Sequence, residues 1–211
     1  MLVFRGDKMS DHYYTKTPTS ESNPRIIDIK ILGRVYKVYS DSGVFSKKGL
    51  DKGTEILIKK MPVNANDKVL DWGTGYGIIG IVAAYLARDG QVEMIDVNER
   101  AALLAKKNLE LNGITNAKAY QSDGFLNVNG KFDLIVSNPP FRAGKKVVHN
   151  LVERAPEFLV DGGGLILVVQ RKQGAESLTK KMEDVFGNVE ILDRSGGYRV
   201  LLSKKQAYKS N

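Results

Sequence analysis

The chain has 211 residues, 42% of them hydrophobic, which suits one domain with a small appendage. It contains no cysteine, so disulfide frameworks, thiolate metal sites and cysteine nucleophiles are excluded; its only histidines, His12 and His149, argue against a zinc centre or a His-based triad, and no metal is expected. The formal net charge of +8 favours a polyanionic partner, and +5 of it (12 Lys+Arg less 7 Asp+Glu) falls within the first 60 residues.

No apolar run approaches the ~18 residues of a membrane span. The opening MLVFRGDKMS is too short in apolar residues for a signal peptide, so a cytoplasmic protein with no membrane partner is expected, with Met9 as an alternative start. Residues 10–25 are rich in Ser, Thr, Pro and charge and read as an arm. Residues 26–40, IIDIKILGRVYKVYS, alternate apolar and polar side chains about a Leu-Gly-Arg turn and predict a β-hairpin. A helix is expected from Thr54 to Met61. The pattern then becomes alternating strands and helices. Strands are predicted at Lys68–Asp71, Gln91–Ile95, Ala117–Gln121, Phe132–Ser137 and Gly164–Gln170, with a last pair at Val189–Leu192 and Arg199–Ser203. Helices are predicted at Ile78–Ala87, between Asn98 as N-cap and Gly113, at Val147–Leu159 with Pro156 kinking or ending it, and at Ala175–Phe186. Repeated βα units mean a mostly parallel sheet covered on both faces, here seven-stranded with an antiparallel edge from the final hairpin. The expected organisation is an arm and hairpin extension over 1–60, a catalytic domain over 61–205 and a tail over 206–211.

Four short stretches end strands, where open α/β sheets bind ligands. The first is LDWGTGYGIIG, residues 70–80. Gly75-x-Gly77-x-x-Gly80 fits a dinucleotide fingerprint, with Asp96 at the spacing of a ribose-binding acid. Asp71-x-Gly73-x-Gly75-x-Gly77 is the alternative register. Asp71 would repel a pyrophosphate but attract the sulfonium and ammonium of S-adenosylmethionine, which favours that cofactor. In the second stretch, MIDVN, Asp96 can accept from both ribose hydroxyls; its plainer role would be helix capping. In the third, SDG, Asp123 is placed to accept the adenine amine, with Gly124 or Phe125 along the base. The fourth is VSNPPF, residues 136–141. Two prolines cannot extend a ladder, and a rigid turn is the plain reading. Beside the other three stretches, a site for a planar amine is favoured. Asn138 supplies a side-chain acceptor, Pro139 a carbonyl stiffened by Pro140, and Phe141 a stacking face. Such a site acts by positioning and needs no strong base. Arg142, Lys145, Lys146 and His149 follow directly, and Arg171 and Lys172 follow the fifth strand; these could anchor phosphates.

Together these residues resemble a class I S-adenosylmethionine-dependent methyltransferase of the amino-methylating group. DSGVFSKKGLDKGT (41–54), LDWGTGYGIIGI (70–81), DVNERA (96–101), NPPFRAGKKVVH (138–149), QRKQGA (170–175) and GGYRVLLSKK (196–205) resemble the RsmC-like ribosomal RNA guanine-N2 methyltransferases, especially their short single-domain members. Trp72 and Thr74 stand where that group more usually has Leu and Cys or Ala. The resemblance implies a Rossmann-like fold, S-adenosylmethionine as cofactor and ribosomal RNA, or the small ribosomal subunit, as partner. Asp71, Gly73, Thr74, Gly75, Gly77, Asp96, Val97, Asp123 and Gly124 would hold the cofactor, with Asn138 at its edge. Asn138, Pro139, Pro140 and Phe141 would hold the target amine. Phe45 and Ser46 would close the site from the hairpin side. Competing expectations are adenine-N6 methylation of RNA or DNA, glutamine methylation of a protein, a non-catalytic RNA-binding module and, disfavoured by Asp71, a dinucleotide-dependent dehydrogenase.

Overall fold

The computed structural model describes residues 25–40, 49–141 and 144–207. The expectations for Phe45, Ser46 and Arg142, and for the arm before residue 25, lie outside these residues. In chain order the elements are β1 (Arg25–Ile31), β2 (Arg34–Ser40), α1 (Lys52–Lys60), β3 (Lys68–Trp72), α2 (Ile78–Leu86), β4 (Gln91–Asp96), α3 (Glu99–Leu111), β5 (Ala117–Gln121), β6 (Phe132–Ser137), α4 (Lys145–Phe158), β7 (Leu159–Gln170), α5 (Ala175–Phe186), β8 (Glu190–Asp193) and β9 (Tyr198–Lys204). The main sheet has the order β5-β4-β3-β6-β7-β9-β8. Strands β3 to β7 run parallel to one another, and β9 pairs antiparallel with both β7 and β8. The antiparallel edge is thus the final hairpin, with β8 outermost.

Strand alternation divides the interior in two. Val69, Val92, Met94, Leu134, Val136, Ile166 and Val168 face one side, against α1, α2, α3 and the hairpin. Leu70, Ile95, Ile135, Leu165, Leu167 and Val169 face the other, against α4 and α5. Phe132 and Ile135 share a face despite odd spacing because the β6–β7 register slips between Phe132 and Leu134. Helix α2 is apolar almost all round, since it lies between the sheet and other elements and buries Ile78 through Ala84.

Three boundaries differ from expectation by more than one residue. Helix α1 begins at Lys52, because the Asp51 side chain accepts from Thr54 N–H at 3.0 Å and caps it. Helix α4 begins at Lys145 and runs through Pro156 to Phe158. Strand β7 begins at Leu159, which pairs with Phe132, five residues before the expected start; the glycines at 162–164 obscure this in the sequence.

The hairpin β1–β2 is a separate two-stranded sheet. It is docked by Asn108 and Asn112, one turn apart on α3. Asn108 accepts from Tyr39 N–H (2.7 Å) and donates to Tyr39 C=O (2.9 Å). Asn112 accepts from Lys37 N–H (3.2 Å) and donates to Lys37 C=O (2.7 Å). Two side-chain amides thus pair with alternate residues of β2 and cover its outer edge.

Candidate active site

The carboxyl ends of β3, β4 and β6 meet around the turn at residues 73–77. Gly73 N–H and Thr74 N–H both donate to Ile95 C=O, at 2.8 and 2.9 Å, which lays the turn against β4. Gly73 has φ +74° and Gly75 φ +60°, a left-handed backbone that glycine adopts without strain. Gly77 serves packing as well: with φ +98°, an added Cβ would stand 2.7 Å from Met94 Cε and 3.1 Å from Ala105 Cβ. Gly80 likewise sits within 2.5 Å of Met94 Cγ when given a Cβ, so the second glycine register serves the approach of α2 to β4.

Asp71 is fully buried. Its Oδ2 accepts from Thr74 Oγ1 at 2.5 Å and from Gly80 N–H at 2.9 Å, while Oδ1 is buried without a partner. Burial pushes the carboxyl up to about 7; the Thr74 and Gly80 donors pull against that rise and the charge of Asp96 adds to it. The sequence puts Asp71 ahead of the turn as an attractor of a cation; in the structure one of its oxygens braces the turn from within and the other is buried without a partner. Asp96 accepts from Gly75 N–H and Asn98 N–H, both at 2.9 Å. Asn98 itself caps α3 through Arg100 and Ala101 N–H. Val97 is half-buried, and its carbonyl accepts from Gln121 Nε2. Ser122 Oγ donates to Gly124 C=O at 2.8 Å and accepts from Asn127 N–H, which shapes the SDG loop and leaves Asp123 on the surface.

Strand β6 delivers its end to the same rim. Ser137 Oγ donates to Trp72 C=O at 2.6 Å, locking the two strand ends together. Asn138 follows, half-buried. Its Nδ2 donates to Thr54 Oγ1 at 2.9 Å and to Asp51 Oδ1 at 3.3 Å, while its Oδ1 has no partner among the described residues. Pro139 is buried and its carbonyl accepts from Phe141 N–H at 2.9 Å, which occupies one of its two lone pairs. Pro140 is half-buried, and the Phe141 ring packs against the α4–α5 side of the core.

Lys145 and Lys146 are exposed in the first turn of α4, which contains no acidic residue. Cations are disfavoured there by the helix dipole, so this placement costs stability unless an anion approaches. A Cβ on Gly174 would contact Lys145 Cε at 3.9 Å, so Lys145 lies beside the 3-10 turn that carries exposed Arg171 and Lys172. The structure therefore gathers these four cations on one side of the β6–β7 rim.

Five buried side-chain atoms among the described residues lack a hydrogen-bond partner: Asp51 Oδ2, Asp71 Oδ1, Trp72 Nε1, Tyr76 Oη and Asp193 Oδ1. The first four belong to the rim segments or to the start of α1 beside Asn138. Burial, and then the nearby Asp51 charge, raise the Tyr76 hydroxyl above its ordinary value. Three residues missing from the sequence reading contribute here. Asp51 and Thr54 hold Asn138; their signal was the capping spacing Asp-x-x-Thr before an apolar helix. Asn108 also donates to Tyr76 C=O at 2.7 Å, joining the turn to the hairpin, and its signal was a pair of asparagines one turn apart on an amphipathic helix.

The chain is 44% identical to the Bacillus subtilis protein YbxB over 200 residues, covering 93% of this chain and all of that one. It is 37% identical to ribosomal RNA small subunit methyltransferase C of Haemophilus influenzae over 167 residues, covering 77% of this chain and 49% of that one. Among solved structures it resembles the T. thermophilus 16S rRNA N2 methyltransferase RsmC, determined in complex with AdoMet and guanosine, with TM-score 0.78 and 30% identity. That match covers 90% of this chain and 52% of the other, so the chain spans about half the length of the named methyltransferases it matches. Residues 35–202 carry the methyltransferase small domain, β2 through β9, and the chain belongs to that family.

Proposed function

We propose that this protein transfers a methyl group from S-adenosylmethionine to an exocyclic amine of a nucleobase, guanine N2 in ribosomal RNA, in the cytoplasm. The observation that carries the reading is the orientation of Asn138. An amine on a purine is a weak nucleophile because its lone pair is delocalised into the ring. Asn138 presents Oδ1 as an acceptor, its NH2 end being held by Thr54 and Asp51. The Pro139 carbonyl retains a second lone pair beside it. Accepting the amine N–H bonds from these two atoms turns the nitrogen lone pair out of the ring plane, and Phe141 offers a face for the base. No strong base is required: the methylated nitrogen is left cationic and strongly acidic and gives up its extra proton to solvent, and the residues contribute by positioning.

S-adenosylmethionine, when bound, supplies an electrophilic methyl group on a sulfonium centre. The residues fit such a group. The turn carries buried acids on two strands, Asp71 and Asp96, which suit a cation and a ribose and oppose a pyrophosphate. Asp71 Oδ1 is an unpartnered carboxylate oxygen, and the space beside Gly73 is open within 4 Å of a built Cβ. Asp71, Gly73, Thr74, Gly75 and Gly77 would shape the methionine end, Asp96 and Val97 the ribose, and Asp123 and Gly124 the adenine. Lys145, Lys146, Arg171 and Lys172 would anchor RNA phosphates. Two named methyltransferases that act on ribosomal RNA share this domain at 30–37% identity, which supports the substrate class.

The test is methyl transfer from labelled S-adenosylmethionine to ribosomal RNA and small subunits lacking native methylation, with nucleoside analysis. N2-methylguanosine is expected. Label on adenosine would replace the base, label on protein the substrate class, and no transfer despite cofactor binding would refute the RNA reading.

A further inference from the structure

The catalytic strand β6 and the first helix lie 84 residues apart in sequence, yet their ends share the hydrogen bond between Asn138 and Thr54. A side-chain amide can sit either way round, with its oxygen or its nitrogen toward a given neighbour. Only one orientation presents an acceptor to an incoming amine. The neighbours decide which. Asp51 Oδ1 accepts from Thr54 N–H at 3.0 Å and, as a carboxylate oxygen, cannot donate, so the group facing it at 3.3 Å must be the NH2 of Asn138. Thr54 Oγ1 accepts the same NH2 at 2.9 Å. Asp51 and Thr54 are one capping unit at the start of α1, and Thr54 is 3% exposed, so water competes little for this bond. Reversing the amide would place its oxygen against the oxygen of an acid, where the two repel.

We propose that Asp51 and Thr54 are positioning residues: the N-cap of α1 sets the polarity of the Asn138 amide and so makes its Oδ1 the acceptor for the substrate amine. The inference rests on the proposed amine-methylating role of Asn138. It assigns α1 a part in the chemistry although neither residue need touch the base. It also makes activity depend on correct docking of the N-terminal extension, because the cap and the β6 end must meet.

Thr54 is the better probe of the two, since its hydroxyl makes no other hydrogen bond among the described residues. Thr54→Val keeps the shape and removes the acceptor; Thr54→Ser keeps the acceptor. Thr54→Val is expected to lower kcat roughly tenfold to a hundredfold, the scale of a misplaced catalytic group. Cofactor Kd should stay within about twofold, and Thr54→Ser should retain most of the wild-type kcat. In an Asn138→Ala background, where residual transfer is followed with labelled cofactor, Thr54→Val should add no further loss. Equal losses in the Val and Ser variants, a matching loss of cofactor affinity, or an undiminished effect of Thr54→Val without Asn138 would overturn the proposal.

A second readout needs no turnover. The side-chain NH2 resonances of Asn138, identified by their loss in Asn138→Ala, should move upfield and exchange faster with solvent in Thr54→Val but not in Thr54→Ser. Unchanged resonances would refute the positioning role even if transfer were robust. Shifted resonances with no transfer to any nucleic acid would uphold it and overturn the proposed substrate instead.

Discussion

Replacing Asp71 by asparagine is expected to reshape the pH dependence of stability in a direction fixed by its burial. In the wild-type chain the carboxyl is raised from 3.8 to about 7. The unfolded chain releases this proton near the ordinary value, whereas the folded chain keeps it until about pH 7. Between those limits the folded state binds more protons, so stability is greatest at the acid end and falls as pH rises. The slope from one such group is about 1.4 kcal/mol per pH unit, which gives a loss of about 3 kcal/mol between pH 5 and pH 8, levelling above the folded value. The amide introduced by Asp71→Asn does not titrate, and its oxygen can still accept from Thr74 and Gly80. The unfolding free energy of Asp71→Asn relative to wild type should therefore grow by about 3 kcal/mol over that range. Urea denaturation of the two proteins without cofactor from pH 5 to 8 measures it, and groups common to both cancel. A difference that stays flat with pH would refute the reasoning, because the folded carboxyl would then be ionised throughout, like the unfolded one. The same group couples to the cofactor. A cation bound nearby favours ionised Asp71, so binding below pH 7 should release a proton in the wild type and none in Asp71→Asn; calorimetry in buffers of different ionisation heat distinguishes the two.

Asn108→Leu should destabilise the fold by about 3 kcal/mol, because Tyr39 N–H, Tyr39 C=O and Tyr76 C=O lose their partner together. Hydrogen exchange at Tyr39 should accelerate in the same variant, and protection at wild-type level would show that the hairpin docks by its apolar face alone. Asp96→Ala should weaken S-adenosylmethionine binding by ~1–3 kcal/mol; isothermal titration at unchanged affinity would move the ribose site elsewhere. RNA affinity should fall steeply with added salt, and Lys145→Ala with Lys146→Ala should lower the log–log slope by about 2. A slope unchanged by that pair would remove α4 from the RNA interface.

The alternation of short apolar strands with amphipathic helices was enough to read the parallel sheet and its flanking layers, since each strand buried on both faces is a nearly continuous apolar run. Glycine hid one boundary: residues 159–163 extend β7, but Asp161 followed by three glycines reads as a loop. Pro156 neither ends α4 nor displaces its end, which falls at Phe158, one residue short of the expected Leu159; the boundary missed was the start at Lys145. At the site, residues that ended strands were legible, as their position follows from topology. Asp51, Thr54 and Asn108 were not, because their partners lie 32 to 87 residues away and only the tertiary fold brings them together. Local sequence also could not reveal that Thr74 and Gly80 occupy one oxygen of Asp71 and leave the other buried without a partner.

The same facts dictate how the site must be probed. Asp71 uses one oxygen to brace the turn and keeps the other without a partner. Asn138 uses its nitrogen to join the end of β6 to α1 and leaves its oxygen without a partner among the described residues. In both cases one half of a planar polar group holds the fold and the other half has no partner among the described residues. Truncation to alanine removes both halves and confounds binding or turnover with loss of structure. Substitutions that alter one half separate them: Asp71→Asn changes the charge and leaves the brace an acceptor, and Thr54→Val removes the shorter of the two bonds that hold the Asn138 amide without deleting the amide. If the rim works as proposed, the first should act on cofactor affinity and its pH dependence, and the second on kcat alone. Both effects appearing together in either variant would mean that cofactor and amine sites are one rigid unit rather than two adjoining ones.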